Sequence, residues 1–317
     1  NLTVDGGTIK LDGNYPVGSG NVALGDGAGD ALASGGNLNT FIGSVSGSAV
    51  STGDNNTSVG AYSLDAATGS SNTAVGSGSL GNSSNSADNN TAVGFDAMNA
   101  TTSGASNVAV GMEALRLNTT ASNNTAVGFQ AGYSNTVGRQ NVAVGYQALR
   151  DGTHTTVGDY FNTAVGAQAM KANTTGQYNT GVGGLALYVN TTGSNNASFG
   201  LSSMQANTTG GNNTAIGQSA LTSNTTASNN TAVGYQAGYS NATGAANTFI
   251  GYQAGYYTTG GPNGRNVFVG EAAGFNNTTG RWNTYLGHYA GQAMTTGASN
   301  TIIGRYDGNQ GGLDIRT

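Results

Sequence analysis

The sequence predicts an all-β chain, a parallel β-solenoid or β-roll of 17 coils with about 17 residues in each. Three observations predict it. A five-residue motif returns at nearly constant spacing: Asn, then Thr or Val, a small or aromatic residue, an aliphatic residue, and Gly. The composition is neutral, polar and rich in glycine. The apolar residues fall in fixed columns of the repeat.

The motif runs from Asn21-Val-Ala-Leu-Gly25 to Asn300-Thr-Ile-Ile-Gly304, and most intervals between successive motif glycines are 17 residues. Only 36% of residues are apolar and 55 are Gly, which argues against a thick globular core. Charged residues make up only 7%, whereas disordered chains combine low hydrophobicity with abundant charge. A helical repeat is rejected on propensity, because every unit carries several poor helix formers and Gly alone costs about 1 kcal/mol relative to Ala.

Taken in order, each unit reads as a strand of about four or five residues at Asn-Thr-Ala-Val, a bend at Gly, a second short strand through the Ala-Leu segment, and a turn at Asn-Thr-Thr-Gly. Stacking at the ~4.8 Å strand spacing gives a rod of roughly 80 Å. The motif asparagines are expected to form a ladder from coil to coil. The aliphatic residue before each Gly, such as Leu24, Val75, Val127, Ile216 or Leu286, reads as the inward stack. Three residues after the Gly stands a small side chain, such as Ala97, Ala114 or Ser203, with Asp307 the exception, so the coil is thin.

Four residues after the Gly stands either a large aliphatic residue (Leu64, Met98, Leu187) or another Gly. Where it is Gly in the later copies, an aromatic usually follows, as in Gly238-Tyr239, Gly255-Tyr256 and Gly274-Phe275, which suggests one pocket filled from either of two positions. The strand's central column, including Ala23, Phe41, Ala126, Phe249 and Tyr285, is apolar or small too. A strand apolar on both faces is expected to be buried on both, one against its own coil and one against identical chains around a symmetry axis.

Along the chain, residues 1–20 lack the motif and read as an N-terminal cap or junction, 21–304 form the repeat shaft, and 305–317 read as a junction to a further domain. Two insertions stand out against the regular spacing. The interval of 21 between Gly145 and Gly166 carries His154, Asp159 and Tyr160, and the interval of 19 between Gly251 and Gly270 carries Arg265. Insertions in solenoids bulge outward as loops, so these four are the candidate receptor contacts. The aromatic column after the motif Gly (Phe95, Phe129, Tyr146, Tyr235, Tyr252) is a second candidate, for sugar stacking or for packing on a neighbouring chain.

The residues for an enzyme are missing. The two histidines, His154 and His288, lie eight coils apart, the two glutamates, Glu113 and Glu271, are as widely separated, and there is no cysteine. Neither lysine follows a glycine, as a phosphate-binding loop requires, and acids do not recur in every unit as a calcium-binding roll requires. No catalytic residue, cofactor site or metal site is expected. With nine Lys and Arg against 14 acids, nucleic acid is not an expected partner, and no apolar stretch reaches the ~18 residues of a membrane span. Asn-x-Thr sequons such as Asn118-Thr-Thr follow from the repetition of Asn and Thr and carry glycosylation only weakly.

The motif Asn-Thr-Ala-Val-Gly-Tyr-Gln-Ala at 230–237, nearly repeated at 141–148, resembles the repeat regions of bacteriophage tail fibres, and is also similar to the head repeats of trimeric autotransporter adhesins. The resemblance covers about residues 21–304, and the 17-residue length favours the phage alternative. It implies a trimeric, left-handed parallel β-roll, and the closing Gly308–Thr317 resembles the junction before a C-terminal intramolecular chaperone domain. The function so implied is that of a structural, adhesive fibre shaft in the virion tail. It is expected to associate with itself as a homotrimer, with other tail proteins and with a host-surface glycan or protein. A bacterial cell-surface adhesin is the alternative. Ice binding, which regular Thr columns on a flat solenoid support, is a second alternative, weakened where Val22, Val108, Val142 and Val267 replace the Thr.

Overall fold

The computed structural model describes residues 19–32, 36–65, 68–81, 86–152, 157–261 and 264–307. Residues 1–18 of the expected cap and 308–317 of the expected junction lie outside the described residues. In chain order the strands are β1 (Val22–Leu24), β2 (Thr40–Ile42), β3 (Thr57–Val59), β4 (Thr73–Val75), β5 (Thr91–Val93), β6 (Val108–Val110), β7 (Thr125–Val127), β8 (Gly138–Arg139), β9 (Val142–Val144) and β10 (Gly158–Asp159). They continue as β11 (Thr163–Val165), β12 (Thr180–Val182), β13 (Ala197–Phe199), β14 (Thr214–Ile216), β15 (Thr231–Val233), β16 (Thr248–Ile250), β17 (Val267–Val269), β18 (Thr284–Leu286) and β19 (Thr301–Ile303).

The chain divides into two units. In the first (1–141 with 154–159), β1 to β7 pair in parallel, each with the next and in register, so that Thr stands beside Thr or Val and Ala beside Ala, Ser or Phe. In the second (142–153 with 160–317), β9 and β11 to β19 do the same. The expected parallel β-solenoid is therefore the observed architecture, with no helix among the described residues.

Each coil holds one three-residue strand of the motif rather than two longer ones. The expected second strand through the Ala-Leu segment is absent, because alternate residues there lie in the left-handed region: Glu113 and Leu115 have φ of 57° and 49°, Gln253 and Gly255 of 53° and 63°. Alternation turns successive N–H groups toward opposite neighbours. Glu113 N–H donates to the Phe95 carbonyl of the preceding coil (2.9 Å), and Leu115 N–H to the Ala131 carbonyl of the following one (3.0 Å). A left-handed Leu costs roughly 1–2 kcal/mol. Complete burial of Leu115, Leu187 or Met204 contributes about 1.5–3 kcal/mol, which offsets that strain.

The strand's faces are the reverse of the sequence expectation. The aliphatic column before the Gly points outward, with Ile216 44% and Leu286 46% exposed, while the central column is buried, from Ala74 to Phe249. The physical reason is the width of the coil. Its far wall, built from the small residue three after the Gly and the left-handed residue four after it, leaves room in most coils for Ala opposite Leu or Met, or for an aromatic opposite Gly; where Ala126 goes with Gly132 and Ala232 with Gly238, Leu115 and Phe249 of adjacent coils lie against the Gly instead. Phe41 pairs in this way with Gly47, Phe249 with Gly255, Phe268 with Gly274 and Tyr285 with Gly291. A Cβ on Gly274 would lie 2.5 Å from the Phe268 ring, and one on Gly291 2.6 Å from the Tyr285 ring.

Volume compensation thus exists, but between the strand centre and the Gly six residues on. The aromatic that follows the Gly does not fill the pocket: Tyr239, Tyr256 and Phe275 stand half-buried at the surface. Hydroxyls obey the same spatial pairing, since buried Ser58 bonds Ser63 at 2.6 Å and buried Ser198 bonds Ser203. Phe268→Ala is expected to cost about 3–5 kcal/mol as a cavity, and Gly274→Leu alone about 1–3 kcal/mol through overpacking. The double variant is expected to be more stable than the Phe268→Ala chain. Urea denaturation of the four chains measures the coupling, and strict additivity would remove the shared-pocket account.

Candidate functional site

Polar side chains are spent first on holding the coils together. Within each unit, motif Asn side chains accept the backbone N–H of the next motif Asn through Oδ1, as Asn39 N–H does with Asn21 (2.9 Å) and Asn179 N–H with Asn162 (3.0 Å). In most copies the Nδ2 donates to the carbonyl that closes its own coil's turn, as from Asn179 to Gly193 (2.8 Å), while Asn230 Nδ2 is buried without a partner among the described residues. The expected Asn ladder is therefore present, with backbone groups as its main partners.

A second ladder was not foreseen. In Asn-Thr-Thr-Gly and Asn-Thr-Thr-Ala turns the Asn is also buried, and Asn190, Asn207 and Asn224 each donate to the Oδ1 of the Asn one coil earlier at 2.7 Å. The signal was in the sequence, where these residues recur at intervals of 17. Outside this ladder, Thr174, Thr191, Thr208 and Thr225 each donate a hydroxyl hydrogen to the carbonyl in the next coil. The Asn and Thr of these ladders, which contribute to the chain's unusual composition, are structural. The sequon at Asn118 shares this fate, since its buried Nδ2 donates to the Ala121 carbonyl (3.2 Å) and is closed to modification in the folded chain.

The four candidate contacts do not assemble. His154 lies outside the described residues. Asp159 belongs to the first unit, exposed in β10, where it pairs with Arg139 of β8, so this part of the insertion forms a short added strand rather than a free loop. Tyr160, of the second unit, is 2% exposed, which corrects its reading as a surface contact. The exposed ring there is Phe161, left-handed at φ 48° and stacked on Tyr178 with centroids 5.7 Å apart. Arg265 is exposed in the second unit, six strands from Tyr160.

Aromatic rings on the second unit form two rows. Tyr235 stacks on Tyr252 (5.4 Å), and Tyr239 on Tyr256 (5.0 Å), which in turn stacks on Phe275 (5.2 Å). Burial, then the neighbouring Tyr239, pushes the Tyr256 phenol above its ordinary value. Because the rings cover one another's faces, a sugar meets their edges, and such rows serve first as inter-coil packing. Phe95 of the first unit and Tyr146 of the second are half-exposed.

Charged groups form small surface clusters. In the first unit Arg116 Nε lies 3.3 Å from Asp96 and 3.8 Å from Glu113, and its hydrogen bond to Tyr133 (3.0 Å) holds the guanidinium above its ordinary value. In the second, His288 Nε2 lies 3.4 Å from Glu271. Neither places a nucleophile against a base in a cleft. Among the described residues no group of three His, Cys, Asp or Glu stands where it could hold a metal ion, and no helix is long and apolar enough to cross a membrane.

These features define a class, a parallel β-solenoid repeat protein whose coils are tied by side-chain ladders. In comparisons with protein-family models and with curated proteins, nothing matches the chain.

Proposed function

We propose that the chain is the shaft of a homotrimeric attachment fibre of the phage tail-fibre type, which joins other tail proteins to a host-surface glycan or protein. The observation that carries this reading is the outward strand face. Its two columns, Thr, Val or (at 197) Ala and then Val, Ile, Leu or Phe, hold no charged residue in any copy of the motif, and Val22, Phe199, Ile216, Val267 and Leu286 are each about 40% exposed or more. A regular apolar stripe of this kind is the surface a second copy covers. Left-handed winding and threefold symmetry come from the resemblance to phage fibres, and a bacterial surface adhesin has the same requirements.

Sedimentation equilibrium tests it. The expected mass is three times the 31.3 kDa of one chain. An Ile216→Glu, Ile250→Glu chain is expected to dissociate while keeping its β-type circular dichroism. A wild-type monomer would overturn the shaft reading and favour ice binding, since the same face carries Thr columns in the open; freezing-point depression by that monomer is the corresponding measurement.

A further inference from the structure

Arg265, Arg281 and Trp282 meet at one place on the second unit. Arg265 lies in the 19-residue interval directly before the motif Asn266, and Trp282 occupies the same column one coil later, its backbone N–H donating to the carbonyl of Gly264 at 2.9 Å. The Arg281 guanidinium lies over the indole with its carbon 4.6 Å from the ring centroid. All three side chains are exposed, Trp282 by 45%. Arg265 and Trp282 are also both left-handed, at φ 45° and 57°, a conformation that bulky residues seldom adopt.

Their charges are uncompensated. Arg116 is held by Asp96 and Glu113, and Arg150 lies 3.6 Å from Asp151, but neither Arg265 nor Arg281 makes an ion pair among the described residues. In a chain of net charge −5, two arginines without an ion pair stand in successive coils beside its one tryptophan. A guanidinium takes a carboxylate or phosphate through paired N–H donors, and an indole takes the apolar face of a pyranose ring. A long polyanion such as nucleic acid meets the acidic remainder of the chain, whereas a short acidic sugar does not.

We propose that Arg265, Arg281 and Trp282 form a binding site for an acidic saccharide, one bearing carboxylate or phosphate groups. The proposal rests on the attachment reading above, which it deepens by naming the ligand class and the place.

Because Trp282 is the only tryptophan, its emission reports on this site alone. The assembled protein is titrated with a short oligogalacturonate, a phosphorylated oligomannoside and neutral maltotetraose, with calorimetry alongside. A saturable emission change is expected with one or both acidic sugars, and which of them acts separates the carboxylate from the phosphate source. Binding is expected to weaken with added salt and at least tenfold in an Arg265→Gln, Arg281→Gln chain. A silent Trp282, an equal response to maltotetraose, or indole shielded from iodide in the assembly would overturn the site. If calorimetry still finds saccharide bound while Trp282 is silent, the site falls and the attachment reading stands. If Trp282 responds in a chain that proves monomeric, the site stands and the fibre reading falls.

Discussion

A Gly166→Ala chain is expected to lose about 3–5 kcal/mol of stability, as a sum of backbone strain and overpacking. Gly166 has φ +133°, outside the range of L-residues, and an added methyl would lie 2.6 Å from the carbonyl carbon of Gly183 and 2.7 Å from its oxygen. Those atoms are backbone of the next coil, so no side chain can yield. Gly261→Ala is the control, because its Cβ would meet nothing within 4 Å. Urea denaturation compares them; similar midpoints would show that the coils can shift along the axis to admit a methyl group.

Asn179→Ala is expected to cost about 2–4 kcal/mol, since each buried polar group left unpaired costs about 1–3 kcal/mol. Asn179 Oδ1 accepts the Asn196 N–H (3.0 Å) and its Nδ2 (3.1 Å), and Asn179 Nδ2 donates to the Gly193 carbonyl (2.8 Å). The adjacent Asn195 is exposed and left-handed at φ 59°, a conformation that Asp tolerates, so Asn195→Asp is expected to stay within about 0.5 kcal/mol. Hydrogen exchange gives a local readout: the Asn196 amide is expected to lose protection in the Asn179→Ala chain. Retained protection there would show that water or a neighbouring group replaces the side chain.

Much of this was legible in the sequence. Identical residues at intervals of 17 gave the parallel stacking, the motif Asn ladder and the thin coil, because in-register stacking puts like over like. The direction of the strand faces was not legible from hydrophobicity, which favours Val over Ala for the interior. Volume was the better guide. Ala opposite Leu and Phe opposite Gly recur six residues apart, as in Ala215 with Leu221 and Phe268 with Gly274, and such compensation is demanded only inside a closed space. The outward column takes Val, Ile, Leu and Phe without a matching change at the far wall, since Phe199 and Ile216 stand in coils that carry Met204 and Leu221 there.

The second strand misled for a related reason: Leu and Met do not advertise a positive φ. Their exchange with Gly in the same column was the available hint. Tyr160 was placed at the surface because insertions bulge outward. Which residue of an insertion turns inward depends on local backbone angles that spacing does not encode, and here it is Tyr160 that is buried and Phe161 that is not.

The ladders bear on how such a gene can change length. Asn196 and Asn213 each bond to the preceding motif Asn through the same atoms, so excising residues 196–212 would join Asn195 to Asn213 and hand Asn213 the place on Asn179 that Asn196 had held. No bond type would be lost, and each surviving coil would keep an equivalent neighbour on either side. Recombination between near-identical stretches can therefore lengthen or shorten the array in steps of one coil, leaving selection to act on reach rather than on foldability.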